Sequence, residues 1–387
     1  MLRVTAPKLL ALSAVALLSV SAPQAVIDSE HASVRVSLAS QGGIAATPGD
    51  QVPLAAILGD KRQFQTWSSQ FRNKLVALVK ATPNLSPVGN SEVDKRIVDG
   101  VRLTTLKFEY PAHSILYGRP GGGVLAVPTV IDPEKPIVVA IHGHEHSPWG
   151  DYPTALLTDG HWPYAMVKRG YIVWSPVSMY HEEILNAARS VGYIPVWTQI
   201  ISEGLDYASS RQFAALPHSG YAVLGLSSGG HIAFTLMAVR PDIRAGVFAG
   251  ADQELQFLRD TYRVKNHPDC WDIPAIASYT TIQALIAPRP IQFQIGQRDP
   301  FFPNGRPLPP NGASFSGTPR GVLSDEAAGH ILILRSIWRL MGGPEVAYDI
   351  HAGGHELDSR AALEFLTRTI GPGMNSRREA GLSMSAR

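Results

Sequence analysis

One cysteine, Cys270, stands among the 387 residues. A single thiol excludes an intramolecular disulfide and a cysteine metal cluster, and no cysteine follows the apolar leader to carry a lipid anchor. In Asp269-Cys270-Trp271 the neighbouring carboxylate raises rather than lowers a thiol pKa, so Cys270 is expected to be an inert small hydrophobe. Charge is also sparse. Only 17% of residues are charged, and 34 basic against 32 acidic side chains give a formal net charge of +2. Nothing in so nearly neutral a charge balance recommends nucleic acid, and none is expected as a partner. At 45% hydrophobic the composition is that of a globular protein, with length enough for a sizeable core without disulfides.

Residues 1–25 have the form of a secretory signal. Arg3 and Lys8 supply a basic start, Leu9 to Val20 an apolar run, and Ala22 to Ala25 a small-residue exit. The apolar run is too short to span a bilayer comfortably, so cleavage and export to the periplasm or the exterior are expected. No stable membrane association should then remain. Loss of Arg3 and Lys8 with the leader leaves the two signs equal in number.

The chain then divides into an N-terminal extension at 26–94, a catalytic domain at 95–373 and a flexible tail at 374–387. The extension is rich in Ala, Ser, Gly and Pro, apart from a helix expected at about 61–80, where Phe64, Trp67, Phe71, Leu75 and Leu78 share a face. Val101 to Tyr110 and Gly123 to Val127 are expected to be strands with an antiparallel start. The continuous apolar run Pro136 to Ile141 suits a strand buried on both faces. Helices and strands then alternate. Helices are expected over Tyr152 to Arg169, Val196 to Leu216, Ser324 to Met341 and Ser359 to Ile370. Strands are expected at Tyr171 to Trp174, Tyr221 to Leu224, Ala245 to Phe248, Pro290 to Ile295 and Glu345 to Ile350. Such alternation predicts an α/β fold, a mostly parallel central sheet with helices on both faces and functional loops at the carboxyl ends of its strands. The Pro-, Gly- and Ser-rich segment 301–322 is expected either as a surface insertion near the site or as a disordered loop.

Gly225-Leu226-Ser227-Ser228-Gly229-Gly230 lies between the Tyr221 strand and an apolar helical stretch, His231 to Arg240. In that setting G-x-S-x-G marks a nucleophile elbow, a tight turn that pushes the Ser227 hydroxyl out of the sheet edge. The backbone N–H of Ser228 opens the helix and faces an incoming oxyanion. The plainer use of such a sequence is to cap a helix after a strand.

An activated serine needs a base and a group to orient it. Downstream, Asp299 follows the Pro290 strand and is the acid candidate, although an Asx turn before Pro300 would use the same residue. Asp252, after the Ala245 strand, is the alternative acid, and Asp349 lies inside a strand. His355 is the base candidate, delivered by Gly353-Gly354. His351 is its nearest competitor, His330 falls on a helix, and His231 follows Ser227 by one helical turn and is expected to face away from it. A second oxyanion donor is expected from the loop after the Ile137 strand, the backbone N–H of His144, enabled by Gly143. The same loop, His142-Gly143-His144-Glu145-His146, also fits a zinc site completed by His351 and His355. No metal or other cofactor is expected on the serine reading. Trp149, Trp162, Tyr180 and Trp271 could line a sugar or aromatic pocket, but such residues more often pack a core or rim.

The His142-Gly143 loop, the Gly225–Gly230 elbow, the Ala287-Pro288-Arg289-Pro290 run and Gly353-Gly354-His355 together resemble an α/β-hydrolase, over roughly residues 95 to 372. More narrowly the chain is similar to the bacterial acetyl xylan esterase-like and dienelactone hydrolase-like branch. The resemblance implies a metal-free serine esterase with Ser227 as nucleophile, Asp299 as acid and His355 as base. Its substrate would be a small-molecule or carbohydrate ester with a short acyl group. The His-rich loop and the 301–322 segment depart from that branch and leave the substrate open. A zinc hydrolase, a serine peptidase or amidase of the same fold, and a binding protein without turnover are the alternatives.

Overall fold

The computed structural model describes residues 59–119, 121–143, 161–177, 192–251, 278–299 and 325–370, the side chains of 325–330 excepted. The leader, most of the lead-in, the 301–322 segment and the tail lie outside the described residues.

The chain enters through helix α1 (Lys61–Val79), capped by the Asp60 carboxylate, which accepts from the N–H groups of Arg62 and Gln63. Phe64, Phe71, Leu75 and Val79 form its buried stripe, and Trp67 stacks on Phe71. Strands β1 (Gly89–Val98), β2 (Val101–Glu109) and β3 (Gly122–Val127) form an antiparallel meander. The first runs across residue 95, where the sequence reading begins its catalytic domain. It was not expected as a strand. It is an edge strand with little burial, Ile97 being 77% exposed, so it carries no in–out alternation.

Strands and helices then alternate: β4 (Ile137–Ile141), α2 (Trp162–Lys168), β5 (Val173–Pro176), α3 (Tyr193–Ser209), β6 (Tyr221–Leu226), α4 (Ser228–Val239) and β7 (Ile243–Ala249). After these come the short α5 (Tyr279–Ala284), β8 (Ile291–Gly296), α6 (Asp325–Met341), β9 (Ala347–His351) and α7 (Ser359–Ile370). The nine strands form one sheet in the order β1-β2-β3-β5-β4-β6-β7-β8-β9. From β5 onward every neighbouring pair is parallel.

The central parallel strands β4, β6 and β7 are mostly apolar because helices cover both faces. Ile137, Val139 and Ile141 of β4 turn to a core shared with α1, α3, α4, α5 and α6, while Val138 and Ala140 turn to a second core under α2 and α7. Helix α1 packs into the first of these beside α3 and α4, so the N-terminal helix belongs to the main body. Helix α3 begins at Tyr193, three residues before the expected start, because Pro195 sits in the first turn, where its missing N–H costs nothing. It ends at Ser209; Phe213 and Leu216 still pack on the core, but from turns.

The order β5-β4-β6 contains the switch point of the sheet. The chain leaves β4 for a neighbour on one side and returns with β6 on the other. Loops leaving two such strands diverge, and the crevice between them is where open α/β sheets bind ligands. Pairing of Ile141 with Gly225 sets His142-Gly143 beside Ser227 at that crevice.

Candidate active site

Ser227 lies between β6 and α4 with φ 56° and ψ −124°, a positive-φ conformation that costs a non-glycine residue about 1–3 kcal/mol. The turn is held from both sides. The Ser227 N–H donates to the Ala249 carbonyl at 2.7 Å, and the Ser227 carbonyl accepts from the N–H groups of Gly230 and His231. Its side chain makes no capping hydrogen bond to α4, so the hydroxyl is not spent on the helix.

The glycines of the elbow are required by close approach. A Cβ at Gly225 would collide with the Gly229 carbonyl, and one at Gly229 with the carbonyls of Ile141 and His142. Helix α4 can therefore rest directly on the ends of β4 and β6. Gly143 lies over the nucleophile: the place a Cβ would occupy is 3.3 Å from Ser227 Cβ and 3.3 Å from the Leu226 carbonyl. Ser228, the first residue of α4, is fully buried.

Asp299 and His355 are brought together. His355 Nδ1 donates to Asp299 Oδ2 at 2.7 Å, with the carboxylate side chain 1% exposed and the imidazole 17%. The carboxylate can only accept, so it fixes the proton on Nδ1 and leaves Nε2 as the basic nitrogen. Asp299 does not spend its carboxylate on an Asx turn alone.

The loops carrying the two residues interlock. The N–H groups of Gln297 and Arg298 donate to the carbonyls of His351 and Gly353, and Arg298 Nε donates to the Ala352 carbonyl. Gln294 on β8 accepts from the Asp358 N–H and donates to the Asp358 carbonyl, closing the far end of the His355 loop. A Cβ at Gly296 would strike the carbonyls of Gly353 and Gly354, so only glycine lets the loops meet.

Gly250, directly after β7, supports the imidazole. It has φ 55°, and a Cβ there would stand 2.8 Å from His355 Cε1 and 3.1 Å from Nδ1. Ser227 bonds Ala249 and His355 packs on Gly250, so both meet the carboxyl end of the same strand. Gly250 was missed in the sequence; a glycine at the end of an apolar strand was its only signal.

Two further histidines are buried here. His231 Nδ1 donates to the backbone carbonyl of Ser227 at 3.0 Å, not to its hydroxyl, and its ring packs against Phe234 and Tyr279. Burial pushes its pKa down to about 3, against the pull of that hydrogen bond, and the nearby His355 lowers it further. His142 Nδ1 donates to the Gly143 carbonyl at 2.8 Å, and burial pushes its pKa down to about 4. Both imidazoles are neutral at pH 7.

His351 accepts from the Gly353 N–H through Nδ1, and Asp349 lies on β9 as expected. His330 lies on α6. Of the three loop histidines of the zinc reading, only His142 is described; His144 and His146 lie outside the described residues. So do Asp252, Cys270, Trp149, Tyr180 and Trp271. Trp162 is buried in the second core, a packing role. Among the described residues no group of three or more metal-ligating side chains is found, and no helix is long and apolar enough to cross a membrane.

No family model and no curated protein sequence matches the chain. Solved structures do. A glucuronoyl esterase from Solibacter usitatus superposes with a TM-score of 0.55 at 10% identity, over 80% of this chain and 94% of that one. A CE15 glucuronoyl esterase from Teredinibacter turnerae gives 0.51 at 14% identity, over 79% and 85%. A Bacteroides fragilis protein assigned as an acetyl xylan esterase gives 0.52 at 16%, over 75% and 76%. At these identities the likeness is one of architecture. With the mostly parallel sheet and the elbow between β6 and α4, it establishes that the chain has the α/β-hydrolase fold.

Proposed function

We propose that the protein is a serine hydrolase of carboxylic esters acting through an acyl-enzyme. The observation that carries this is the Asp299–His355 pair, bonded at 2.7 Å beside the strand end that also holds the strained Ser227. The solved structures it resembles are esterases by name, which supports ester over amide chemistry.

In this reading the Ser227 oxygen attacks the ester carbonyl as its proton passes to His355 Nε2. Asp299 holds the ring and stabilises the imidazolium. The N–H of Ser228 and the N–H following Gly143 receive the oxyanion. Collapse expels the alcohol, which takes the proton from His355, and leaves an ester on Ser227. Water activated by Nε2 then releases the acid and restores the serine. A short acyl group on a small-molecule or carbohydrate alcohol is the substrate proposed, and export by the 1–25 leader belongs to the same proposal.

The test is intact mass after treatment with a fluorophosphonate. One adduct is expected on the wild type and none on Ser227→Ala, followed by turnover of short acyl esters in preference to the matching amides. An unlabelled wild type would overturn the serine reading, and bound zinc should then be assayed.

A further inference from the structure

We propose that β1 is an interface strand, which pairs antiparallel with β1 of a second copy of this chain about a two-fold axis and joins the two sheets at their meander edges. β1 is the outermost strand of the sheet, and among the described residues nothing pairs with its outer side. A free strand edge is a template for another strand, because its outward N–H and carbonyl groups are left to solvent. The hairpin decides which groups these are. Val98 and Val101 flank the two-residue turn Asp99-Gly100, where both residues have positive φ, as in a type I′ turn. The pair flanking such a turn is hydrogen-bonded across the hairpin. By the antiparallel alternation, Lys95 and Ile97 then turn their main-chain groups outward.

The side chains of β1 suit a partner. Large apolar side chains are exposed at six described positions, and four of these, Val88, Val93, Ile97 and Val98, lie on β1 or immediately before it. Edge strands are commonly blunted by charge, lysine above all. That defence works where like charges meet, and β1 carries two acids, Glu92 and Asp94, beside two bases, Lys95 and Arg96. With the two copies of Lys95 opposite each other on the axis, Asp94 of each strand stands opposite Arg96 of the other, and Ile97 of each meets Val93 of the other. Within one chain Arg96 Nε lies 2.9 Å from Asp94 Oδ2, with both side chains 45% exposed. So exposed an ion pair contributes little, and exchanging it for two pairs across the axis costs little. Lys95 is ion-paired to Glu92, which offsets the meeting of the two lysines. The bulge between Glu92 and Asp94 confines regular pairing to Asp94–Val98, so the dimer is expected to be weak and concentration-dependent. A formal charge of +2 leaves no long-range repulsion between copies. Two-fold pairing occupies the β1 edge of both copies, so assembly closes at two chains.

Sedimentation velocity of the full chain over a wide concentration range is the experiment. The wild type is expected to shift from the mass of one chain to that of two as concentration rises. Arg96→Asp sets like charges opposite each other twice, and should raise the dissociation constant by about tenfold or more. Combining it with Asp94→Arg exchanges the signs and restores both pairs, so the constant should return toward that of the wild type. Ile97→Lys removes an apolar contact and should weaken the dimer without any change in the Asp94–Arg96 pairs. These side chains are largely exposed, and circular dichroism checks that each variant is folded. A wild type of one-chain mass at every concentration would overturn the interface. So would a dimer that neither Arg96→Asp nor Ile97→Lys weakens, or assembly beyond two chains. Should Arg96→Asp not fold, Ile97→Lys decides: a weakened dimer supports the interface, and an unchanged one overturns it. Ser227 takes no part in the contact. Fluorophosphonate labelling is expected in monomer and dimer alike, so loss of the dimer and loss of the hydrolase reading are separate results.

Discussion

Ser227 and His355 are positioned by what their neighbours lack. Gly250 is the sharpest case, because its missing side chain is filled by the imidazole of His355. Gly250→Ala would add a methyl 2.8 Å from Cε1 in a left-handed backbone conformation. The ring has to move, and a displacement of about 1 Å in a catalytic group can cost about 10²-fold. A kcat reduced on that scale, with KM little altered, is the expected outcome. Gly118→Ala is the matched control. It has φ 69° but open space around it, so it should cost about 1 kcal/mol of stability and leave kcat alone. Loss of activity in both variants would show that backbone strain, rather than contact with His355, is responsible.

At the scale of elements, the nucleophile helix is secured at the end away from Ser227. Arg289, in the Ala287-Pro288-Arg289-Pro290 run, donates to the carbonyls of Met237, Arg240, Ile243 and Ile286. Arg72, from the N-terminal helix, donates to those of Ala238 and Leu285. The last turn of α4 thus has its open carbonyls filled by cations, as the helix dipole favours. Burial lowers the Arg289 pKa to about 10, and it remains charged at neutral pH. Arg289→Met would strand several acceptors and is expected to cost at least about 3 kcal/mol in urea unfolding. The kcat of the folded fraction should change little, since a twelve-residue helix separates the clamp from Ser227 by about 18 Å. This arginine was visible in the sequence only as part of a family resemblance, because its partners are backbone carbonyls that carry no residue signature. The buried strands were legible for the opposite reason. Ile137–Ile141 and Tyr221–Leu226 are continuously apolar, and Ile291–Gly296 is buried throughout despite Gln292 and Gln294; Gly143, Ser227 and Asp299 lie just past their carboxyl ends, as expected. Strand β1 and the six-residue α5 escaped because exposure and shortness erase periodicity. The interlock of residues 296–299 with 351–358 escaped because it is made almost wholly by main chain.

For the molecule as a whole, the two buried histidines tie stability to pH. The unfolded chain protonates His142 and His231 near the ordinary 6.5, whereas the folded chain keeps them neutral down to about 4 and about 3. Below pH 6.5 the unfolded state binds more protons, so stability is complete above that value and falls as the pH drops. Each imidazole contributes a slope of about 1.4 kcal/mol per pH unit while the unfolded form is charged and the folded form is not. Carboxylates add their own acid dependence, and the comparison must subtract it. His231→Asn does so, because it retains a donor toward the Ser227 carbonyl and removes one titrating group. Urea unfolding of the wild type and this variant at intervals from pH 4 to 7 should give curves that converge toward low pH, the difference closing by about 1.4 kcal/mol per unit below about pH 6. Parallel curves would mean that His231 titrates alike in both states, and the neutral imidazole behind the nucleophile would have to be abandoned.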